Sequence, residues 1–321
     1  MQVKRKIKGL ISLLANVCFE LFQFVKYSNL FSINSPDKIQ GKITFYYHSI
    51  EKGLINQPLR PRFGAEKIER LLYFLVLWID RRYNLNDSQF LSSIEVLHRY
   101  HVFHQEIDVD INDIITSSAL DLIKKYSNKK RGGVISYTSD TYFNHSQSPF
   151  KDFSNSRHSL RHFTTEIVKL NNVEDVISLA RNAPSVCNRQ GFRVTYISNY
   201  DLIQKALHLQ SGLNATAKDV GNLFIVTVDR SVFVGSSEWY QGFIDGGIFL
   251  QNLLYSLHYH SLGAVPLNWS KHYTDDLNMK KLLNLNPAEK IIALVAFGHP
   301  LGEFKIPVSC RKEVSEILTI I

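Results

Sequence analysis

Four separated segments in the second half of the chain carry the side chains best suited to chemistry. The first, residues 157–163, reads Arg-His-Ser-Leu-Arg-His-Phe, and the second, 183–190, reads Ala-Pro-Ser-Val-Cys-Asn-Arg-Gln. The third, 264–269, is Ala-Val-Pro-Leu-Asn-Trp; the fourth is Gly298-His299-Pro300, with Arg311-Lys312 beyond it. Guanidinium forks in such segments suit the bidentate binding of phosphate. The familiar catalytic signatures are missing: there is no GxxxxGK[ST], no GxGxxG after a strand, no GxSxG and no HExxH. His98, His101 and His104, with Glu95 before them, repeat at steps of three. Such steps drift around a helix, so the four cannot converge on one metal ion, and a packing or surface role is favoured. No metal site is expected. Lys129-Lys130-Arg131 lacks interleaved aromatics and reads as a solvated loop, so no nucleic-acid partner is expected.

Those segments must be positioned by what lies between them. Helical periodicity runs through residues 65–83, 88–104 and 110–126, the last capped by Asp110 or Asn112. Residues 128–156, rich in Lys, Gly, Ser and Asn, read as a linker. Beyond them helices (173–182, 200–210, 241–260, 275–283) alternate with strands (192–198, 222–229, 290–298). The strands 222–229 and 290–298 are continuous apolar runs, as strands covered on both faces require. This is an α/β or α+β layered domain. Two domains are expected: a mainly helical region with its linker over 1–150, and the layered domain over 151–321.

With 45% hydrophobic and 21% charged residues, the 321-residue chain can bury a sizeable core and is not a disordered one. Cys18, Cys187 and Cys310 are too sparse for a disulfide framework and fit a reducing compartment. The formal charge of +8 could serve a phosphorylated ligand, an anionic membrane or nucleic acid. At the amino end Lys4, Arg5, Lys6 and Lys8 precede an apolar stretch, 10–25, that Glu20 and Gln23 interrupt. No small-x-small cleavage site follows, and the uninterrupted apolar length falls short of the ~20 residues of a membrane span. An amphipathic first helix is expected, packed on the rest of the protein in the favoured reading. In the other reading it makes a peripheral membrane contact through residues 1–25. A cytoplasmic protein is expected.

In this order and at these separations the four segments resemble the nitroreductase family of FMN-dependent oxidoreductases, over roughly residues 153–321. The resemblance implies an α+β fold, a nitroreductase-like FMN-binding domain of layered sheet and helices. It also implies a homodimer with FMN at the subunit interface. By it, Arg157 and Arg311 hold the FMN phosphate, with Lys312 helping, and Ser159 and the His158 backbone hold phosphate or ribityl oxygens. Arg161 lies near flavin N1 and O2, where a cation favours the anionic reduced ring. Pro184, Ser185 and Asn188 contact the ring across the interface, Gln190 supports that segment, and Asn214 bonds the pyrimidine edge. The family lysine nearby falls on Ala217. Pro266 and Leu267 match the backbone facing N5. NADH or NADPH would donate electrons in a ping-pong cycle that ends on a small-molecule acceptor, with no side-chain acid or base required. The family packs the region of helix 241–260 between subunits, which puts Leu250 and Leu254 at the expected seam.

Two departures stand out. Gln190-Gly191-Phe192 replaces a common Gln-Pro-Trp, and Asn268-Trp269 replaces a Glu-Gly pair, so that Trp269 would fill the pocket or stack on an aromatic substrate. FMN binding is therefore better supported than nitro reduction. The alternatives are a non-catalytic FMN-binding accessory protein of a glycan pathway and a flavin-modifying enzyme on the same fold. In the first half, residues 47–54 (YHSIEKGL) resemble an extension on nitroreductase-like proteins associated with surface-polysaccharide biosynthesis. His48, Glu51 and Lys52 there form either a lid or partner surface or, as favoured, a helix start with a local ion pair.

Overall fold

The structure is a computed structural model that describes residues 2–127, 132–213 and 215–321. Lys129, Lys130, Arg131 and Asn214 lie outside the described residues. In chain order the helices and strands are α1 (Gln2–Tyr27), α2 (Pro36–Leu54), α3 (Ala65–Asp80), α4 (Ser88–Glu106), α5 (Ser117–Tyr126), β1 (Val134–Thr138), α6 (Ser139–Tyr142), α7 (Phe150–Ser156) and α8 (Leu170–Ala180). Then follow β2 (Phe192–Ile197), α9 (Tyr200–Gln210), β3 (Asn222–Asp229), α10 (Gln241–Tyr259), β4 (Gly263–Asn268), α11 (Tyr273–Leu283), β5 (Glu289–Gly298) and β6 (Glu303–Pro307). Two compact units result, one of Met1–Leu21 with Tyr137–Phe304, the other of Phe22–Ser136 with Lys305–Ile321.

In the second of these units, α2 to α5 bury apolar stripes at helical spacing. Ile39, Ile43, Tyr47, Ile50 and Leu54 on α2 meet Leu71, Leu75 and Trp78 of α3 and Phe90, Leu97 and Tyr100 of α4 in one core. The helix starts are capped, as their unpaired N–H groups require. Ser35 accepts from Lys38 N–H, and Asp87 accepts from the N–H groups of Gln89 and Phe90 at 2.9 Å each. The expected helix over 110–126 begins only at Ser117, capped by Thr116; Ile111 and Ile115, just before it, are buried in the core.

His104 has the packing role expected of it. Its Nε2 accepts the Arg62 N–H at 2.9 Å and its Nδ1 donates to the Tyr100 carbonyl at 2.8 Å, so both ring nitrogens are used. Glu51 is buried inside α2, not at a helix start, with His48 Nδ1 at 3.4 Å and the Gly133 N–H at 3.2 Å. Burial raises its pKa. Residues 128–156, read as a linker, carry β1, α6 and α7 among those described.

The other unit is built on a four-stranded antiparallel sheet of order β2-β3-β5-β4. It confirms an α+β architecture, reached after a mainly helical first part of the chain. β3 and β5 are buried along nearly their whole length. On one face Phe224 and Val226 of β3 and Val295 and Phe297 of β5 pack with Phe249, Leu253 and Leu257 of α10 and Val173 and Val176 of α8. The helix comes so close to the sheet that a Cβ on Gly246 would meet Ile292 Cγ1 at 2.7 Å and Val228 Cγ2 at 3.0 Å. Gly247, the next residue, faces open space.

Candidate flavin site

Three of the four segments meet along the open edge of the sheet. β4 is an edge strand, paired on one side with β5. On its other side runs the 157–163 segment: Ser159 bridges to Ala264 in parallel, and Leu160 N–H donates to the Ala264 carbonyl at 3.0 Å. Gly263 permits this approach, since a Cβ there would lie 2.9 Å from Leu160 Cδ1. The same segment continues to the fourth: Thr164 N–H donates to the His299 carbonyl at 2.8 Å, and Phe163 bridges to Pro300. Arg157, His158, Ser159 and Arg161 are half-buried there, while Leu160 and Phe163 are buried as anchors. Arg161 Nη1 reaches the Ser159 carbonyl at 3.5 Å.

Strand alternation decides what Pro266 and Leu267 offer. Because the Ala264 carbonyl points to the open edge, so does that of Pro266, two residues on. A proline fits this place because its missing N–H would have faced no ladder partner. Leu267 turns its side chain into the core and its backbone toward Leu294 of β5.

The second segment is anchored elsewhere, at the start of α10. Asp245, almost fully buried, accepts from Val186 N–H at 3.3 Å and from Gln241 Nε2 at 2.8 Å. Ser185 Oγ accepts the Gln190 N–H at 2.9 Å, and Gln190 Nε2 reaches Asn188 Oδ1 at 3.2 Å. Cys187, Asn188 and Gln190 all have left-handed backbones, with φ of 48°, 55° and 48°. Non-glycine residues adopt that conformation at a cost, and such strain clusters at functional sites. The turn is clamped by Arg189, whose guanidinium bonds both oxygens of Glu238 at 2.5 and 3.0 Å and the Val232 carbonyl at 3.1 Å. That pair holds the Glu238 carboxyl down at about 2. Pro184 and Asn188 are exposed and Ser185 is half-buried.

Beside Pro184, the outward face of α10 forms an open groove of about 680 Å³, lined by Phe243, Ile244, Gly247, Ile248 and Tyr255 among others. Phe243, Ile244 and Ile248 are 48%, 44% and 40% exposed. The seam expected at Leu250 and Leu254 is thereby corrected: Leu254 is 6% exposed and Leu250 packs against the same core, because α10 turns that face onto its own sheet.

Trp269 also differs from expectation. It is 8% exposed, with Nε1 donating to Asp276 Oδ1 at 3.0 Å, and is held by α11 instead of being offered to a substrate. Asp276 in turn pairs with Lys280 and Lys290. Asn268 is the exposed member of that pair of residues. Ala217 opens a short 3-10 turn, Ala217–Asp219.

Arg311 and Lys312 are exposed and belong to the other unit, whereas Arg157 belongs to this one. Within its unit the Arg311 guanidinium bonds the Ser309 carbonyl. The chain there is fixed by the Val308 N–H on the Gly133 carbonyl at 3.0 Å and by Gln89 Nε2 on the Cys310 carbonyl at 3.4 Å.

Sequence reasoning missed Asp245 as the anchor of the Pro184 turn and the Arg189–Glu238 clamp. A lone acid in an apolar helix was the available signal for the first; the second joins residues 49 apart and left none.

Residues 155–299 match the model of the nitroreductase family, which supports that family for this part of the chain. No curated protein matches the chain. Among solved structures, a Desulfovibrio desulfuricans protein named as a nitroreductase in complex with FMN is 22% identical, with a TM-score of 0.46, over 55% of this chain and 98% of that one. A Clostridium acetobutylicum protein named as an NADH oxidase is 22% identical, at a TM-score of 0.44, over 51% of this chain and 95% of that one. An FMN-dependent nitroreductase of Clostridium difficile is 12% identical, at 0.40, over 45% and 84%.

Proposed function

We propose that the sheet-based unit binds FMN and works as an oxidoreductase, taking electrons from NADH or NADPH and passing them to a small-molecule acceptor, as a homodimer. The observation that carries this reading is the convergence of Arg157, Ser159 and Arg161 with the open edge of β4, within the segment that matches the nitroreductase family. The residues suit the group. Half-buried arginines answer a phosphate dianion, the Ser159 hydroxyl answers a polyhydroxyl chain, and Ser185 and Asn188 answer a polar ring edge. When bound, FMN would supply the redox chemistry, accepting hydride from the nicotinamide and reducing the acceptor in a second half-reaction. The chain's own part is to bind and orient. Arg157 offers a fixed cation for phosphate, and Arg161 offers one that offsets charge gained on reduction. Arg189 and Asp245 keep the strained turn in one conformation. Phe243, Ile244 and Ile248 offer the apolar face on which a second copy would sit, so that the exposed Pro184 and Asn188 meet the partner's cofactor.

The test is the absorbance of purified protein before and after anaerobic NADPH. A flavin spectrum that bleaches is expected; colourless protein that takes up no added FMN overturns the reading. Arg157→Ala is expected to weaken FMN retention, a charged phosphate contact being worth about 1.5–3 kcal/mol. Phe243→Glu with Ile248→Glu is expected to lose dimer and flavin together, and a flavin-loaded wild-type monomer in sedimentation refutes the shared site. A second reading rests on exposed Asn268, which leaves that edge of the site without an acid: a binding protein that holds FMN which NADPH does not bleach. A link to surface polysaccharide rests on residues 47–54 alone.

A further inference from the structure

α1 is built inside out. On a 3.6-residue period Gly9, Leu13, Asn16, Glu20 and Gln23 share one stripe, while Ile7, Ile11, Leu14, Cys18, Leu21 and Val25 share the opposite one. The first stripe is the one turned inward. Gly9, Leu13, Asn16 and Gln23 are the half-buried positions of the helix, the Gln23 Oε1 is buried, and neighbouring Ser12 bonds Ser236 at 3.3 Å. The apolar stripe faces solvent: Ile7, Ile11, Leu14 and Leu21 are 53–62% exposed. This overturns the favoured expectation that the helix packs its apolar side on the protein. The window Lys6–Tyr27 also has the length and mean hydropathy, 1.4, of a membrane-crossing helix with no residue of it buried, although Glu20 and Gln23 interrupt its apolar run.

We propose that α1 is an in-plane membrane anchor whose apolar stripe inserts into the headgroup–acyl boundary of an anionic bilayer. Charge selects that occupant. Lys4, Lys6 and Lys8 are exposed at the amino end, no acid lies in the first turn, and the single acid, Glu20, sits on the inward stripe. Exposed Phe19, Phe22 and Phe24 add large apolar rings toward the carboxyl end. Crossing the bilayer would instead carry Asn16, Glu20 and Gln23 into hydrocarbon, so the helix lies flat.

The test is flotation of the full chain with vesicles of phosphatidylcholine alone or mixed with phosphatidylglycerol. The chain is expected to float with the mixed vesicles and far less with the neutral ones. Replacing Lys4, Lys6 and Lys8 by Gln should weaken binding to the mixed vesicles about a hundredfold at low salt, at roughly fivefold per lysine. Leu14→Glu with Leu21→Glu, at exposed positions, should abolish it. Cys18 should react with a water-soluble maleimide in solution and be protected on vesicles, the label being located by peptide mass. A Glu20→Cys variant should stay reactive in both states. A chain that ignores the mixed vesicles, or a Leu14→Glu, Leu21→Glu variant that still floats, overturns the proposal. So does Cys18 that labels equally in both states, or protection of Glu20→Cys, which would mean a spanning helix. Assembly beyond a dimer without vesicles, dissolved by the double-glutamate variant, would make the occupant a second copy and also overturn it.

Discussion

α10 and α1 are alike on paper and opposite in use. Each is long and apolar with a single acid, Asp245 in one and Glu20 in the other. α10 spends its apolar residues on two tasks. Phe249, Leu253 and Leu257 fill the core against β3 and β5, and Phe243, Ile244 and Ile248 stay outside as a face for another surface. Its acid is buried and holds the Pro184 turn. α1 buries almost nothing apolar and leaves its acid on the polar stripe. Burying a leucine is worth about 1.5–3 kcal/mol, so α10 contributes to folding and α1 keeps its apolar surface for a later contact. Apolar content says how much surface wants cover; only the direction of each stripe says what covers it.

The sharpest way to break that contrast is truncation. Leu253→Ala is expected to cost about 2–5 kcal/mol in denaturant unfolding, because it opens a cavity under α10. An acid titration comes next. His258, in the last turn of α10, is 2% exposed, with Ser156 Oγ at 2.8 Å from Nε2. Burial, and then the Arg157 and His158 charges, push its pKa down from 6.5 to about 4. The unfolded chain then binds the extra proton first, so stability falls as pH drops from 6.5 toward 4, by on the order of 3 kcal/mol in all. His258→Gln should flatten that slope; an unchanged slope would show that another group carries it.

Gly246→Val should cost about 1–3 kcal/mol by overpacking Ile292 and Val228. Gly247→Val, one residue on and facing open space, should be neutral or stabilise by a few tenths of a kcal/mol, since valine is the better helix former, and a cost like that of Gly246→Val would place α10 differently on the sheet. The smallest effect is at the far end of the comparison: Leu14→Ala should change stability in solution by less than about 0.5 kcal/mol. A loss like that of Leu253→Ala would mean that α1 is packed after all.

Much of the sheet-based unit is legible in the chain. The runs 222–229 and 290–298 fall on β3 and β5 within a residue, because strands covered on both faces leave continuous apolar runs that no turn residue interrupts. α10 is legible as a long apolar stretch with Asp245 as its single acid. The expected helix start at 110 fails because Ile111 and Ile115 continue a helical period without being helical; they are buried from irregular chain, and period alone cannot tell the two apart. At the site, the types and order of Arg157, Ser159, Arg161, Pro184 and Asn188 are visible in sequence. Their supports are not. Asp245 and Glu238 act over separations of 59 and 49 residues, and such pairings leave no local pattern.

The amino-acid sequence by itself determined the long buried elements, a layered sheet-and-helix class and the residue types at the edge of β4, since each follows from local periodicity or from side-chain chemistry. Tertiary structure alone decided direction. It turned the Pro266 carbonyl outward and Trp269 onto Asp276, put Leu254 inside and Ile248 outside, and faced the polar stripe of α1 inward. A helix or strand fixes which residues share a face, but the rotation of that face is chosen by the packing of every neighbour at once. One segment's sequence does not contain that choice.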